Sequence, residues 1–247
     1  VTPGRTVEQQ RRSRLLADGP QPLITFYDLA TGERVELSHT TIDNWVNKTA
    51  ALILDAALSE GDVIAIALPT HWQRIIWWLA AWKVGACIAE APPIHPDAQL
   101  LVCSTDLLET MTARNEHSVE IVACSLRPLG LPADIALPAN VADYAIDVRR
   151  FPDQLSTSLP DSHSLALSTE KGTWSQDDVI ANSPKLAEST RILVTDDSDT
   201  PEQAHLLAAT LSSPHSSIVL VNSAMHHDNA AAQLDAIVAA EQVTQRA

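Results

Sequence analysis

Residues 63–89 limit the fold more than any other stretch of the chain. Residues 63–68 (Val-Ile-Ala-Ile-Ala-Leu) form an unbroken apolar run rich in β-branched side chains, the length of one strand buried on both faces. After Pro69-Thr70, residues 71–84 predict a helix apolar nearly all round, which must be covered on more than one side. Gly85 suits the C-terminal end of that helix, and residues 86–89 predict the next strand, closed by Pro92-Pro93. Strand, buried helix and strand in this order make a parallel βαβ unit.

The flanking sequence extends the pattern. A short polar helix is expected over 7–17, stopped by Asp18-Gly19-Pro20. Extended runs at 23–27 and 34–37 predict a hairpin around Gly32. Ser38 then caps a helix whose apolar face carries Ile42, Trp45, Val46, Ala50, Ile53 and Leu54. Further on, strands at 99–103 and 119–124 flank a helix at 106–115. Pro128, Pro132, Pro138, Pro152 and Pro160 forbid long helices, so 128–160 reads as an extended connector with one helical turn at 141–145. Strands follow at 165–168 and 172–174, then a helix from the Ser175 cap to 187 and a strand at 191–194. Thr200 is read as the cap of a helix over 201–210, ahead of a strand at 217–221 and a helix at 229–240; residues 243–244 enter one more strand. The expected fold is α/β: a layered, mostly parallel sheet with helices on both faces. It divides into a first half (1–150) with the hairpin and long helix and a second (151–247), or runs on as one continuous domain.

A formal net charge of -15 argues against nucleic-acid backbones and anionic membrane surfaces as partners. The three cysteines, Cys87, Cys103 and Cys124, are widely spaced in apolar runs and predict buried thiols rather than a disulfide framework. No apolar stretch approaches the ~20 residues that span a bilayer, and no signal peptide is read at the start, so a soluble cytoplasmic protein is expected.

Residues 23–93 carry a more specific pattern: the hairpin (Ile24-Thr25-Phe26 and Arg34-Val35-Glu36-Leu37), the helix over 41–58, then Glu60-Gly61-Asp62 and the strand ending Leu68-Pro69. A helix ending Lys83-Val84-Gly85-Ala86 and the Pro92-Pro93 pair complete it. This resembles the N-terminal subdomain of adenylate-forming (acyl-CoA synthetase-like, AMP-binding) enzymes. There a hairpin and long helix precede a Gly-Asp turn, a strand ending in Leu-Pro and a helix ending in Lys-x-Gly-Ala. From Trp174 onward the chain is similar to the region that follows the family's phosphate loop. The neighbourhoods of His71-Trp72-Gln73 and Asp143-Tyr144 resemble a short actinobacterial family of uncharacterised relatives.

The resemblance implies adenylation chemistry, in which a Ser/Thr/Gly-rich loop ending in Pro-Lys-Gly holds the ATP phosphates. Glycines let backbone N–H groups close on phosphate oxygens. The expected place for that loop, between Asp147 and Leu165, holds no glycine, and no two of the chain's 7 glycines lie closer than 13 residues. Lys171 in Glu170-Lys171-Gly172 matches the loop's Lys-Gly but reads as a turn lysine. The adenine contacts, metal-binding glutamate and C-terminal catalytic lysine that the resemblance implies match nothing here, which suggests a truncated subdomain and a pseudoenzyme.

Other constellations read as structure first. Ser156-Thr157-Ser158 beside Arg149 and Arg150 is an anion-site candidate weighed against a solvated linker; His226-His227-Asp228 reads as a loop and helix cap rather than a metal site. Trp78 is expected in the core, with a subunit or acyl contact open for Trp77 or Trp82. His71 and Trp72, at the carboxyl end of the 63–68 strand, mark the residual pocket, because ligands in parallel α/β sheets gather at strand carboxyl ends; capping and packing is the competing role. No catalytic, cofactor-binding or metal-ligating residue is assigned, and no cofactor is expected. The reading is a non-catalytic relative that binds a protein or small molecule, with a homodimer open. The alternatives are an enzyme working in the old cleft without ATP, and one half of a split adenylating enzyme.

Overall fold

The molecule is described by a computed structural model covering residues 4–116, 118–223 and 230–247. Most of its helices begin where side chains satisfy the free backbone N–H groups. At α1 (Val7–Asp18), Thr6 Oγ1 accepts from Gln9 N and Gln9 Oε1 accepts from Thr6 N, a reciprocal cap that the sequence reading missed. β1 (Pro22–Asp28) and β2 (Arg34–Ser38) form the expected antiparallel hairpin. Ser38 caps α2 (His39–Asp55). β3 (Val63–Ala67), α3 (Trp72–Val84) and β4 (Cys87–Glu90) are the βαβ unit, with Gly85 at φ +82 ending α3. A Cβ at Gly85 would lie 3.0 Å from Pro160 Cβ, so glycine is needed for space as well as for φ. The peptide bonds before Pro92 and Pro93 are cis.

The chain continues through β5 (Ala98–Ser104), α4 (Leu108–Arg114) and β6 (Glu120–Cys124), then β7 (Val141–Asp143) and α5 (Tyr144–Asp147). The helical turn expected at 141–145 therefore starts later. Residues 141–143 pair with β6, and the turn begins at Tyr144, where Asp143 Oδ1 accepts from Ala145 N at 2.9 Å. β8 (Leu165–Thr169) and β9 (Gly172–Ser175) form a second hairpin, and Ser175 caps α6 (Gln176–Ala181). α6 stops well short of residue 187. Asn182 and Ser183 turn their side chains back onto the Asp178 and Ile180 carbonyls, and Pro184 follows. After β10 (Arg191–Val194), α7 (Thr200–Ser212) is capped not by Thr200 but by Asp199, whose Oδ1 accepts from Glu202 N at 2.9 Å. β11 (Ser217–Asn222), α8 (Ala230–Ala240) and β12 (Gln245–Arg246) complete the fold. Asn229, expected to start the last helix, and the His226-His227-Asp228 cluster lie outside the described residues.

The expected sheet is two sheets, each mostly parallel. One has the order β12-β10-β11-β1-β2; the other is β7-β6-β5-β3-β4-β8-β9. The antiparallel steps are the two hairpins. The first sheet joins β1, near the start of the chain, to β11 in parallel, with Phe26 opposite Leu220. The second takes strands from both sides of residue 150.

Side-chain alternation along the strands assigns each sheet two buried faces. Ile24, Phe26, Ile192 and Leu220 of one sheet share a core with Ile64, Ile66, Ile88 and Leu100 of the other, filled between by α2, α3 and α7. On the outer faces, Leu101, Cys103 and Ile121 pack on Met111 of α4, while Leu193, Val219 and Val221 pack on Ile237 of α8. Between the sheets every residue of α3 except Arg74 is buried, as its all-round apolar sequence requires. Among the described residues no helix is long and apolar enough to cross a membrane.

Candidate functional site

The carboxyl ends of the strands from both sheets meet at the start of α3 and of α7. His71 and Trp72 sit there, as the sequence reading placed them. His71 is 1% exposed. Its Nδ1 accepts from Gln73 N at 3.1 Å, so the imidazole is the N-cap of α3. Its ring stands edge-on to Phe26 at 4.5 Å, and its Nε2 has no hydrogen-bond partner among the described residues. Burial pushes its pKa down to about 3. This is a neutral, packed histidine with one nitrogen already occupied; it lines none of the three cavities described. Trp72 is 2% exposed and stacks edge-on to Trp45 at 5.4 Å.

Beside them lies a polar seam that the sequence reading did not find. Arg74 Nη1 donates to Leu68 O at 3.3 Å, Nη2 donates to Gln203 Oε1, and the guanidinium lies 4.8 Å over the Trp78 ring. Burial lowers the Arg74 pKa to about 10, with the charges of Glu90 and Asp196 acting the other way, so it stays cationic at neutral pH. Gln203 Nε2 in turn donates to Ser198 O at 2.9 Å, Thr195 O at 3.2 Å and Thr70 Oγ1 at 3.3 Å. Thr200 Oγ1 donates to Glu90 Oε1 at 2.7 Å. These bonds tie α3 and β4, on one sheet, to α7 and the end of β10, on the other. An arginine one helical turn into an apolar helix was the available signal. Its partner Gln203, 129 residues away in sequence, left no local trace.

The Lys171-Gly172 pair and the stretch expected to hold the phosphate loop are tied into the fold by other bonds. Thr169 pairs directly with Gly172, so β8 and β9 are joined by Glu170 and Lys171 alone. Lys171 N donates to Thr169 Oγ1 at 3.1 Å, and its Nζ pairs with Asp199. The stretch before β8, where the loop was expected, is pinned to the body of the protein. Lys48 Nζ donates to Phe151 O at 2.7 Å, Asn47 Nδ2 to Asp153 O at 2.8 Å, and Asp161 N to Glu60 Oε1 at 2.8 Å. The arginines near Ser156-Thr157-Ser158 have other partners: Arg149 donates to Gly130 O at 3.1 Å, and Arg150 pairs with Asp147 at 3.3 Å.

The thiols offer no nucleophile. Burial pushes Cys87 up to about 12, Cys103 up to about 11 and Cys124 higher still. Among the described residues no group of three or more His, Cys, Asp or Glu side chains is placed to hold a metal ion. Trp77, Trp78 and Trp82 are all buried in the core, and Trp82 Nε1 donates to Ala166 O at 2.8 Å.

Solved structures share this fold. Acetoacetyl-CoA synthetase from Streptomyces lividans superposes with a TM-score of 0.78 at 14% identity, over 98% of this chain and 42% of that one. The anthranilate CoA ligase AuaEII, solved with anthranoyl-AMP, gives a TM-score of 0.76 at 11% identity, over 100% of this chain and 50% of its own. The chain has the adenylate-forming, acyl-CoA synthetase-like fold. It spans about half of each of these enzymes. In sequence it is 41% identical over 146 residues to a "TIGR03089 family protein" of Mycobacterium tuberculosis, covering 57% of this chain and 58% of that protein. No family model matches the chain.

Proposed function

We propose that this chain is a non-adenylating relative of the acyl-CoA synthetases, acting in the cytoplasm by binding a small molecule or a protein. The observation that carries the reading is the β8–β9 hairpin. Lys171-Gly172 is the chain's one match to the loop's closing Lys-Gly, yet Thr169 and Gly172 are already paired and only two residues join them. A triphosphate needs several backbone N–H groups converging on its oxygens without intervening side chains. A two-residue turn cannot supply them, and Lys171 is turned toward Asp199 instead. The polar seam supports the same reading, because the Arg74–Gln203 and Thr200–Glu90 bonds run across the two sheets.

Calorimetric titration with ATP and Mg²⁺, paired with an ATP–pyrophosphate exchange assay over a panel of carboxylic acids, tests this. The expected outcome is no saturable heat and no exchange. ATP binding together with acid-dependent pyrophosphate release would reject the proposal.

A further inference from the structure

A groove of 1210 Å³ runs between α1, the segment 183–186 after α6, and the end of α7. Small-molecule pockets are typically about 300–1,000 Å³, so it is roomy enough for a ligand with an extended body. His71, Trp72, Arg74 and Lys171 take no part in its lining.

Its charge runs against that of the protein. Arg5, Arg12, Arg14 and Lys185 face it, with His215 at the rim and Asp18 as the lining carboxylate, in a chain of net charge -15. Arg12 and Arg14 are already paired, with Glu8 and Asp18. Arg5 and Lys185 are exposed and form no ion pair among the described residues, so two full positive charges are left uncommitted. The lining also carries apolar surface from Leu159, Ile180 and Leu186. Leu159 is 42% exposed although it faces this concavity.

We infer that this groove binds an amphipathic anion, an apolar chain carrying a carboxylate or phosphate head. The leucine surface takes the chain, and Arg5 and Lys185 take the head. The site deepens the binding role proposed above but lies apart from the β8–β9 hairpin.

The test is calorimetric titration of the intact chain with decanoate, decyl phosphate and the uncharged reference decanol, repeated on the double variant Arg5→Ala/Lys185→Ala. Both replaced side chains are exposed and unpaired, so the variant keeps its unfolding midpoint. The two anions are expected to bind at least about tenfold more tightly than decanol, and the double variant to lose about tenfold in anion affinity with decanol unchanged. The stronger of the two anions identifies the head group. Affinity for both anions no higher than for decanol, an unaffected double variant, or binding of neither anion would overturn the inference. ATP-dependent pyrophosphate exchange in the companion assay would reject the non-adenylating reading and leave this result standing.

Discussion

His71 shows how a residue at a ligand-prone position serves structure instead. Its imidazole caps α3 through Nδ1 and is sealed against Phe26, with a pKa pushed down to about 3 by burial. As pH falls below about 6.5 the unfolded chain takes up a proton there while the folded chain does not, so stability is complete above that value. It then declines by about 1.4 kcal/mol per pH unit until the folded group titrates. His39 adds to the decline down to about pH 4, because burial and then the adjacent Arg14 hold it neutral. Urea midpoints are therefore expected to drop steadily from pH 7 to pH 4. His71→Asn keeps a capping oxygen and removes the titration. It should be less stable at pH 7.5 by about 1–2 kcal/mol, from lost packing, and show a shallower decline toward pH 4. Parallel pH curves for the two proteins would refute the buried neutral imidazole. The position of His71 at the strand end was legible in the sequence. Capping was read there as the role competing with a pocket, but the sealing of the ring depends on Phe26, which no local pattern links to it.

At the scale of the element, α1 reads as a polar helix yet is buried along its charged side. Glu8 is 2% exposed and holds Arg11 at 2.7 Å, Arg12 at 2.6 Å and Lys83 of α3 at 3.2 Å, while Arg11 also reaches Asp43 of α2 at 2.6 Å. Burial alone would raise the Glu8 pKa, but Arg11, Lys83 and Arg12 together bring it below the usual carboxylate value, so the network is ionised at neutral pH. Removing one member of such a cluster strands the others in a dry interior. Glu8→Ala is expected to cost about 3–5 kcal/mol, and Glu8→Gln/Lys83→Met to recover part of that by removing the stranded ammonium. Urea unfolding of the three proteins measures both effects; a loss below about 1 kcal/mol for Glu8→Ala would show that the network is solvated. The extent of α1 was readable from its stop signal. Its burial was not, because charges at helical spacing look the same whether they face water or distant counter-ions such as Lys83 and Asp43. Most other elements were readable for the converse reason: buried strands and α3 carry their environment in their own composition. The departures came where local hydrogen bonds decided the outcome, as at Asn182 and Ser183 beyond α6 and at the Asp199 cap of α7.

For the whole molecule, βα alternation was enough to give the fold class but not the partition into two sheets, since strands of either sheet have the same apolar character. Which strand pairs with which is set by packing across distant segments: β1 joins β11 at the other end of the chain, and β8 returns to pair with β4. This arrangement bears on how the protein unfolds. A division at residue 150 predicts two transitions, one for each half. The shared core predicts one, because Leu207 of α7 is fully buried in the same cluster as Trp77, Trp78 and Trp82 of α3. Five of the six tryptophans, Trp45, Trp72, Trp77, Trp78 and Trp82, lie in α2 and α3, so tryptophan emission reports mainly on the first 150 residues, while far-UV circular dichroism reports on all helices and strands. Leu207→Ala leaves a cavity and is expected to cost about 2–5 kcal/mol. If the core is one unit, that variant lowers the urea midpoints of emission and of dichroism by the same amount, and the two curves coincide in both proteins. If residues 151–247 unfold by themselves, the dichroism curve splits and shifts while the emission curve stays in place. The seam through Arg74, Gln203 and Thr200 favours the single transition, because losing α7 would leave Arg74 without its Gln203 partner beside Trp78.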